Sequence, residues 1–156
     1  MSASAEKKNF LIKAERFCAY QDRCSYEVKQ KMNKLGADEI IIKKTISSLK
    51  ENNFLNDERF ARAFVSGKFR IKKWGKNKIR NELRKKKISD ELINKGLNAI
   101  NKEEYFKTMK EIAKKKEKEI KVRDPKIKTQ KVAMYLVSKG FESELIWKIF
   151  KPIIWD

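Results

Sequence analysis

The highest concentration of charged side chains in this sequence is a run of basic residues between positions 68 and 87. Its lysines and arginines face a single acid, Glu82, and the surplus is ten positive charges. Trp74 and Gly75 interrupt the run at an expected loop between two helices. The cations could neutralise phosphates, and the indole could either stack on an unpaired base or pack in the core. The candidate contact residues are Lys68, Arg70, Lys72, Lys73, Trp74, Lys76, Lys78, Arg80 and Arg84.

The whole chain shares this bias. Its 156 residues contain 40 Lys and Arg against 21 Asp and Glu, for a formal net charge of +19. Such a surplus favours a polyanionic partner, because like charges repel one another in a compact chain. Nucleic acid fits best, and an acidic protein surface or a membrane surface is the alternative. A second basic run, 110–128, carries nine cations and four acids, and many of these could support a helix as pairs three or four residues apart.

Most catalytic chemistry lacks its residues here. The chain has no histidine, which removes Ser-His-Asp and Cys-His catalysis and His-ligated zinc. Cys18 and Cys24 alone cannot close a zinc site, and we expect two reduced thiols in or near a core. The acids gather at expected helix starts, and no Gly-rich phosphate loop is present. We therefore expect no catalytic, cofactor or metal site and no enzymatic activity.

The sequence also carries no signal for a membrane or for export. Its longest apolar runs are far too short to span a bilayer. The N-terminal residues have no apolar segment followed by a small-residue cleavage site. These observations predict a cytoplasmic protein, and we expect it to be a monomer.

The elements that must position the basic run are helices. Gly and Pro are rare, at 5 and 2 residues, and apolar residues recur at intervals of three and four. No segment alternates with the period of a strand. The sequence predicts an all-α protein.

An internal repeat organises these helices. The segments 28–49, 79–100 and 132–153 align without gaps. Each predicts a helix, a turn and a second helix, with turns at Leu35-Gly36, Lys86-Lys87 and Lys139-Gly140. We expect Asp38 and Ser89 to cap the helices that follow the first two turns. The apolar columns are Val28, Ile79 and Val132; Met32, Leu83 and Leu136; Ala37, Ile88 and Phe141; Ile41, Leu92 and Leu145; Ile42, Ile93 and Ile146; Ile46, Leu97 and Phe150; and Leu49, Ile100 and Ile153.

An amphipathic segment precedes each helix pair, so each unit should hold three helices. Asn56 and Asn101 are the expected caps of the second and third of these segments. Asp124-Pro125 should end the helix that carries the second basic run. The expected units are 1–52, 53–101 and 102–156. Because one unit buries little alone, we expect them to stack into an elongated, right- or left-curved array.

The second unit contains a motif that resembles the central signature of the RecX family. The motif runs from Phe54 to Val65 with the sequence FLNDERFARAFV. It is continued by Trp74-Gly75, Ile79, Glu82-Leu83 and Ile88. Upstream, Arg23, Ser25, Glu27 and Leu35-Gly36 are similar to the first repeat of the family. The resemblance covers residues 13–153 and departs at Lys86-Lys87, where the family has a Lys-Gly turn, and in the third unit, which matches mostly in its apolar pattern. The residues expected to carry the fold of this motif are Phe54, Leu55, Asp57, Arg59, Phe60, Ala61, Phe64, Gly75, Ile79 and Leu83.

The resemblance implies a regulator of the RecA recombinase. Such proteins bind along the groove of the RecA filament on single-stranded DNA. They typically inhibit its ATPase, strand-exchange and co-protease activities in recombination, DNA repair and the SOS response. RecA is itself the ATPase, so this chain would need no cofactor. Because the basic run has no set of base-reading Asn, Gln and Arg on one short helix, its own contact with nucleic acid should be weak and independent of sequence. The alternative is a freestanding basic helical module that binds DNA or RNA without RecA.

Overall fold

The computed structural model describes residues 3–155, and side-chain burial for residues 5–150. Within this range the chain forms nine α-helices and no strand, which confirms the all-α prediction. The helices are α1 (Ala3–Tyr20), α2 (Ser25–Lys34), α3 (Glu39–Glu51), α4 (Asp57–Arg70), α5 (Lys76–Lys85), α6 (Asp90–Asn98), α7 (Lys102–Glu119), α8 (Pro125–Ser138) and α9 (Ser143–Trp155).

The helices pack in three consecutive groups. α1, α2 and α3 contact one another, as do α4, α5 and α6. In the third group α8 packs against both α7 and α9. We call these groups the first, second and third units. The accessible surface is 10732 Å², against about 8,200 Å² for a compact monomer of the same mass. The units therefore form an extended array, as the repeat predicts.

Side-chain caps fix four helix starts where the sequence places them. The side-chain oxygens of Asp38, Asn56 and Asn101 accept hydrogen bonds from the third residue of the helix, at 2.8, 2.9 and 2.9 Å. The Ser89 hydroxyl accepts a longer bond of 3.4 Å from the Leu92 N–H. These caps satisfy donors that lack partners within the helix, and each is worth about 1 kcal/mol.

The repeated turn has the same backbone in all three units. Gly36, Lys87 and Gly140 adopt left-handed φ values of 86°, 59° and 99°. The next N–H then donates to the carbonyl five residues earlier, at 3.1 Å for Ala37, 3.2 Å for Ile88 and 3.0 Å for Phe141. This is the Schellman arrangement that glycine favours. The departure at Lys86-Lys87 therefore leaves the turn intact and places a lysine in a conformation that costs a non-glycine residue free energy.

The expected end of α7 at Asp124-Pro125 is wrong. α7 ends at Glu119, and Asp124 caps the start of α8 by accepting a hydrogen bond of 2.9 Å from the Lys126 N–H. Pro125 is the first residue of α8, where its missing N–H would have no helical partner in any case. The rule that a residue before proline avoids the helical region is obeyed, but at a helix start.

The side chains described divide into two cores. One belongs to the first unit and contains Ala14, Cys18, Val28, Met32, Ile42, Leu49 and Leu55. The other runs through the second and third units from Phe60 to Phe150, and it also takes in Cys24 and Tyr26 of the first unit. Three of the predicted columns, those beginning with Val28, Met32 and Ile42, are buried in every unit. Ile153, in the last column, lies outside the side chains described.

Candidate nucleic-acid interface

The basic run is centred on the loop between α4 and α5, residues 71–75. α4 ends at Arg70, and Lys73 turns the chain with a left-handed φ of 58°. The Lys73 N–H donates to the Phe69 carbonyl and the Trp74 N–H to the Lys68 carbonyl, both at 3.1 Å. These two bonds satisfy carbonyls at the end of α4 and fix the loop against its own helix.

The loop also rests on the third unit, at the turn between α8 and α9. The Gly75 N–H donates to the Lys139 carbonyl at 2.7 Å, and the Asn77 N–H to the Gly140 carbonyl at 2.9 Å. A Cβ on Gly75 would lie 2.3 Å from the Gly140 carbonyl carbon, which is backbone and cannot rotate away. Glycine is therefore required at position 75 by the close approach of two backbones.

Lys139 adds a cation that the sequence analysis missed. Its Nζ donates to the Lys72 carbonyl at 3.0 Å, so a side chain of the third unit holds the loop of the second. Burial lowers the pKa of Lys139, and the charges of Lys78 and Lys72 lower it further. No sequence signal distinguishes Lys139 from other lysines, because 67 residues separate it from Lys72.

Most of the predicted contact residues keep their charge unpaired. Arg84 is the exception, since it pairs with Asp90 at 3.1 Å. Across residues 5–150 the other cations of the set have no carboxylate within 4.0 Å. Arg70, Lys72, Lys73 and Arg84 are exposed, whereas Lys68, Lys76, Lys78 and Arg80 are half-buried. The surface around the loop is therefore rich in uncompensated positive charge.

These cations do not form one flat face. The side chains of Ile79 and Leu83 are fully buried, so their face of α5 is turned to the core. Successive residues of a helix are rotated by about 100°, so Lys78 and Arg80 lie on opposite flanks of α5. The positive surface wraps around the start of α5, and Lys139 extends it on the third unit.

Trp74 packs rather than standing free. Its ring is half-buried and lies against the core shared by the second and third units. The Nζ atoms of Lys68 and Lys78 lie 4.8 and 4.5 Å from the ring centroid, within the range of a cation–π contact. Of the two interpretations of Trp74, this contact pattern favours packing, with the indole positioning two lysines of the basic run.

The Tyr105 side chain contacts the start of α5. Its ring lies 5.7 Å from that of Phe69 and 5.3 Å from that of Phe141, measured between centroids. The hydroxyl donates to the Glu142 carboxylate and accepts a 3.0 Å bond from the Lys76 N–H. Burial, reinforced by the bond to Glu142, strongly raises the pKa of Tyr105, so the phenol stays protonated. One side chain thus joins α5, α7 and the start of α9.

Most apolar residues of the central motif lie in the core, whereas Asp57 contacts the neighbouring unit. Leu55, Phe60, Ala61, Ile79 and Leu83 are buried, Phe64 is half-buried, and Phe54 lies at the surface. Asp57 is the first residue of α4, next to the Asn56 cap. Its carboxylate, however, accepts hydrogen bonds from the Ser25 N–H at 2.8 Å and the Ser25 hydroxyl at 2.9 Å. Asp57 therefore joins the second unit to the first, which the sequence pattern alone did not reveal.

The two thiols are poor nucleophiles in this setting. Cys18 and Cys24 are both buried and unbonded to each other. Burial raises the pKa of each to about 11, so both are protonated near neutral pH. Among the described residues no group of three Cys, Asp or Glu side chains could hold a metal ion. No helix within that part of the chain is long and apolar enough to cross a membrane.

The fold defines the class of protein, a tandem array of three-helix units. A crystal structure of RecX from Lactobacillus salivarius superimposes with a TM-score of 0.88 over 98% of this chain and 99% of that one, at 22% identity. A second crystal structure, of a regulatory protein RecX, gives 0.83 over 96% of this chain and 75% of the other, also at 22% identity. At these identities the likeness establishes the fold.

The sequence establishes the family. The profile of the RecX second three-helix domain matches residues 56–97, and that of the third matches residues 103–150. The regulatory protein RecX of Clostridium acetobutylicum is 32% identical over 95% of this chain and 72% of its own length. That of Clostridioides difficile is 30% identical over 91% of this chain and 66% of its own. The chain belongs to the RecX family, and it spans about two thirds of the length of these regulatory proteins.

Proposed function

We propose that this protein binds RecA filaments on single-stranded DNA and inhibits RecA ATPase, strand-exchange and co-protease activity. Membership in the RecX family supplies the partner, because curated relatives are named regulatory proteins and the family resemblance implies RecA. An extended array of helices suits a filament groove, where contacts must be spread along a repeating surface. The protein would act as a cytoplasmic monomer without a cofactor of its own.

The observation that carries the proposal is the unpaired positive surface around the loop 71–75. Lys72 and Lys73 are exposed there, and burial, together with the charges of Lys78 and Lys72, lowers the pKa of Lys139. Inside a filament this surface could meet DNA phosphates, acidic RecA side chains, or both. Either contact would relieve repulsion among cations that no carboxylate of the described residues compensates.

A freestanding nucleic-acid-binding module is the second candidate, and the same surface supports it. Such a module would bind bare DNA by phosphate contacts. If about five phosphates are neutralised, the logarithm of affinity should fall with the logarithm of salt concentration at a slope of about −3.5 on single strands. Titrations of a labelled oligonucleotide at several salt concentrations measure this slope, and a value near zero contradicts the electrostatic interpretation.

RecA dependence separates the two candidates. The test measures ATP hydrolysis by RecA on single-stranded DNA with increasing amounts of this protein. A filament regulator should inhibit at amounts well below those of RecA. A freestanding binder should act only at amounts sufficient to compete with RecA for DNA.

Charge reversal at Lys73, Lys76 and Lys78 tests the surface itself. Replacing all three by Glu changes the charge by −6. Lys73 is exposed, and although Lys76 and Lys78 are half-buried, acidic residues in the first turn of α5 suit the helix dipole. We expect unchanged helicity, weaker inhibition of RecA and a smaller salt dependence. The matched control replaces Lys29, Lys43 and Lys44, which are exposed on the first unit, by Glu. Equal inhibition by the two folded variants would show that the loop surface has no specific role.

A further inference from the structure

An isoleucine stands in solvent at the tip of the positive surface. Ile71 follows the last residue of α4 and is 79% exposed. Arg70, Lys72 and Lys73 flank it in sequence, and all three are exposed. Single exposed apolar residues are common in proteins, so exposure alone assigns no role. The setting of Ile71 is unusual, because its neighbours in sequence on both sides are exposed cations.

The backbone around Ile71 is held on several sides. The Ile71 N–H donates to the Gly67 carbonyl at 2.9 Å, and the Lys139 ammonium group holds the next carbonyl, that of Lys72. Lys73 adopts a left-handed φ at which glycine would be less strained. The fold thus keeps a lysine at a strained position, and it presents Ile71 on a braced backbone instead of a mobile loop.

We propose that Ile71 is a wedge that inserts between neighbouring bases of a nucleic acid while Arg70, Lys72 and Lys73 contact the flanking phosphates. The proposal rests on the proposed function only because both use the same positive surface. It adds that this surface recognises the bases and phosphates of a nucleic acid. A strand of nucleic acid carries charged phosphates beside apolar base faces, and the segment 70–73 places one apolar side chain among three cations. Isoleucine is among the side chains that proteins insert between base steps. An acidic protein surface would satisfy the lysines, but it would offer nothing apolar to Ile71.

The test uses the full chain and a single-stranded oligonucleotide that carries 2-aminopurine, whose fluorescence rises when it unstacks. The parent protein should raise this fluorescence on binding. Ile71→Ala should bind about 10-fold more weakly, from the loss of buried methyl and methylene groups, and should lose the rise even at saturation. Its salt slope should be unchanged, because every cation remains. The same oligonucleotide annealed to its complement shows whether the wedge acts on single strands or on duplexes.

Two variants make the result specific. Ile71→Met keeps an apolar side chain and should retain the fluorescence rise. Ile40→Ala removes an isoleucine that is 65% exposed on the first unit beside Asp38 and Glu39, and it should behave as the parent. All of these positions are exposed, so thermal unfolding should be unchanged.

Two results would overturn the proposal. One is a parent protein that binds without a fluorescence rise, and the other is an Ile71→Ala variant that matches the parent on bare DNA. If that variant also inhibits RecA weakly, Ile71 belongs to a protein contact. The DNA assay contains no RecA, so the Ile71 proposal can fail while the proposed inhibition of RecA holds. Equally, inhibition of RecA can fail while the Ile71 proposal holds.

Discussion

The two joints of this array are built from different interactions. Between the first and second units, polar pairs lie beside apolar packing, since Cys24 and Tyr26 pack into the second core and Leu55 into the first. Asp57 accepts two hydrogen bonds from Ser25, Arg59 pairs with Asp22 at 3.0 Å, and Lys86 pairs with Glu27 at 3.2 Å. Between the second and third units, backbone meets backbone at Gly75 and Gly140, and one apolar core runs through both.

The difference suggests how each joint responds to its surroundings. Partly exposed ion pairs are weak and are screened by salt, so the polar part of the first joint should weaken as ionic strength rises. Close-packed backbones and a continuous core allow only one arrangement, since any displacement opens a void or a clash. The second and third units should therefore move as one body, and that body carries the whole positive surface, including Lys139.

Among the substitutions that test this comparison, Phe60→Ala should lower the free energy of unfolding most. Phe60 is only 6% exposed in the shared core, whereas Phe17 of the first unit is half-buried. Phe60→Ala should lower the free energy of unfolding by roughly 3–5 kcal/mol, and Phe17→Ala should lower it clearly less. Denaturant titration of both variants measures the difference. Equal losses would mean that the two cores contribute alike.

Gly75→Ala should come next. The added Cβ would meet the Gly140 and Phe141 backbones at 2.3 Å, and relieving the clash requires the second and third units to separate. We expect a loss of about 3 kcal/mol in unfolding free energy.

Gly67→Ala is the matched control for this variant, because nothing lies within 4 Å of its added Cβ. Gly67 lies inside α4, where alanine should add about 0.5–1 kcal/mol of stability. Thermal unfolding of the two variants should shift in opposite directions. A stable Gly75→Ala protein would contradict the close backbone contact.

Asp57→Ala should disturb the polar joint by less. It leaves the Ser25 N–H and hydroxyl without their acceptor, at a cost of about 1–3 kcal/mol. Asp57 also lies in the first turn of α4, so a double-mutant cycle with Ser25→Ala is needed to isolate the contact. Coupling near zero between the two substitutions would show that the joint does not depend on this pair.

Lys87→Gly should give the smallest change and the opposite sign. Glycine removes the cost of a left-handed lysine, of about 1–2 kcal/mol, and loses part of that gain to the greater freedom of the unfolded chain. We expect a net stabilisation of about 0.5–1 kcal/mol. Lys34→Gly, inside the last turn of α2, should instead destabilise the protein.

Local features of this protein follow from its sequence alone. Apolar spacing predicted the helices and the repeat, and the caps at Asp38, Asn56 and Asn101 lie where expected. Such features depend on residues within one or two turns of each other, so a linear pattern contains them. The start of α8 shows the limit, because Asp124-Pro125 is compatible with a helix end as well as a helix start.

Only the tertiary structure decided which distant residues meet. It placed Ser25 on Asp57 and Lys139 on Lys72, and it set Gly75 against Gly140. Each pair is separated by 32 to 67 residues, and the chemistry of each partner is ordinary by itself. Their roles arise from how three similar units stack. That stacking depends on the shapes of whole helix surfaces, and shape complementarity over such distances leaves no periodic trace in a single sequence.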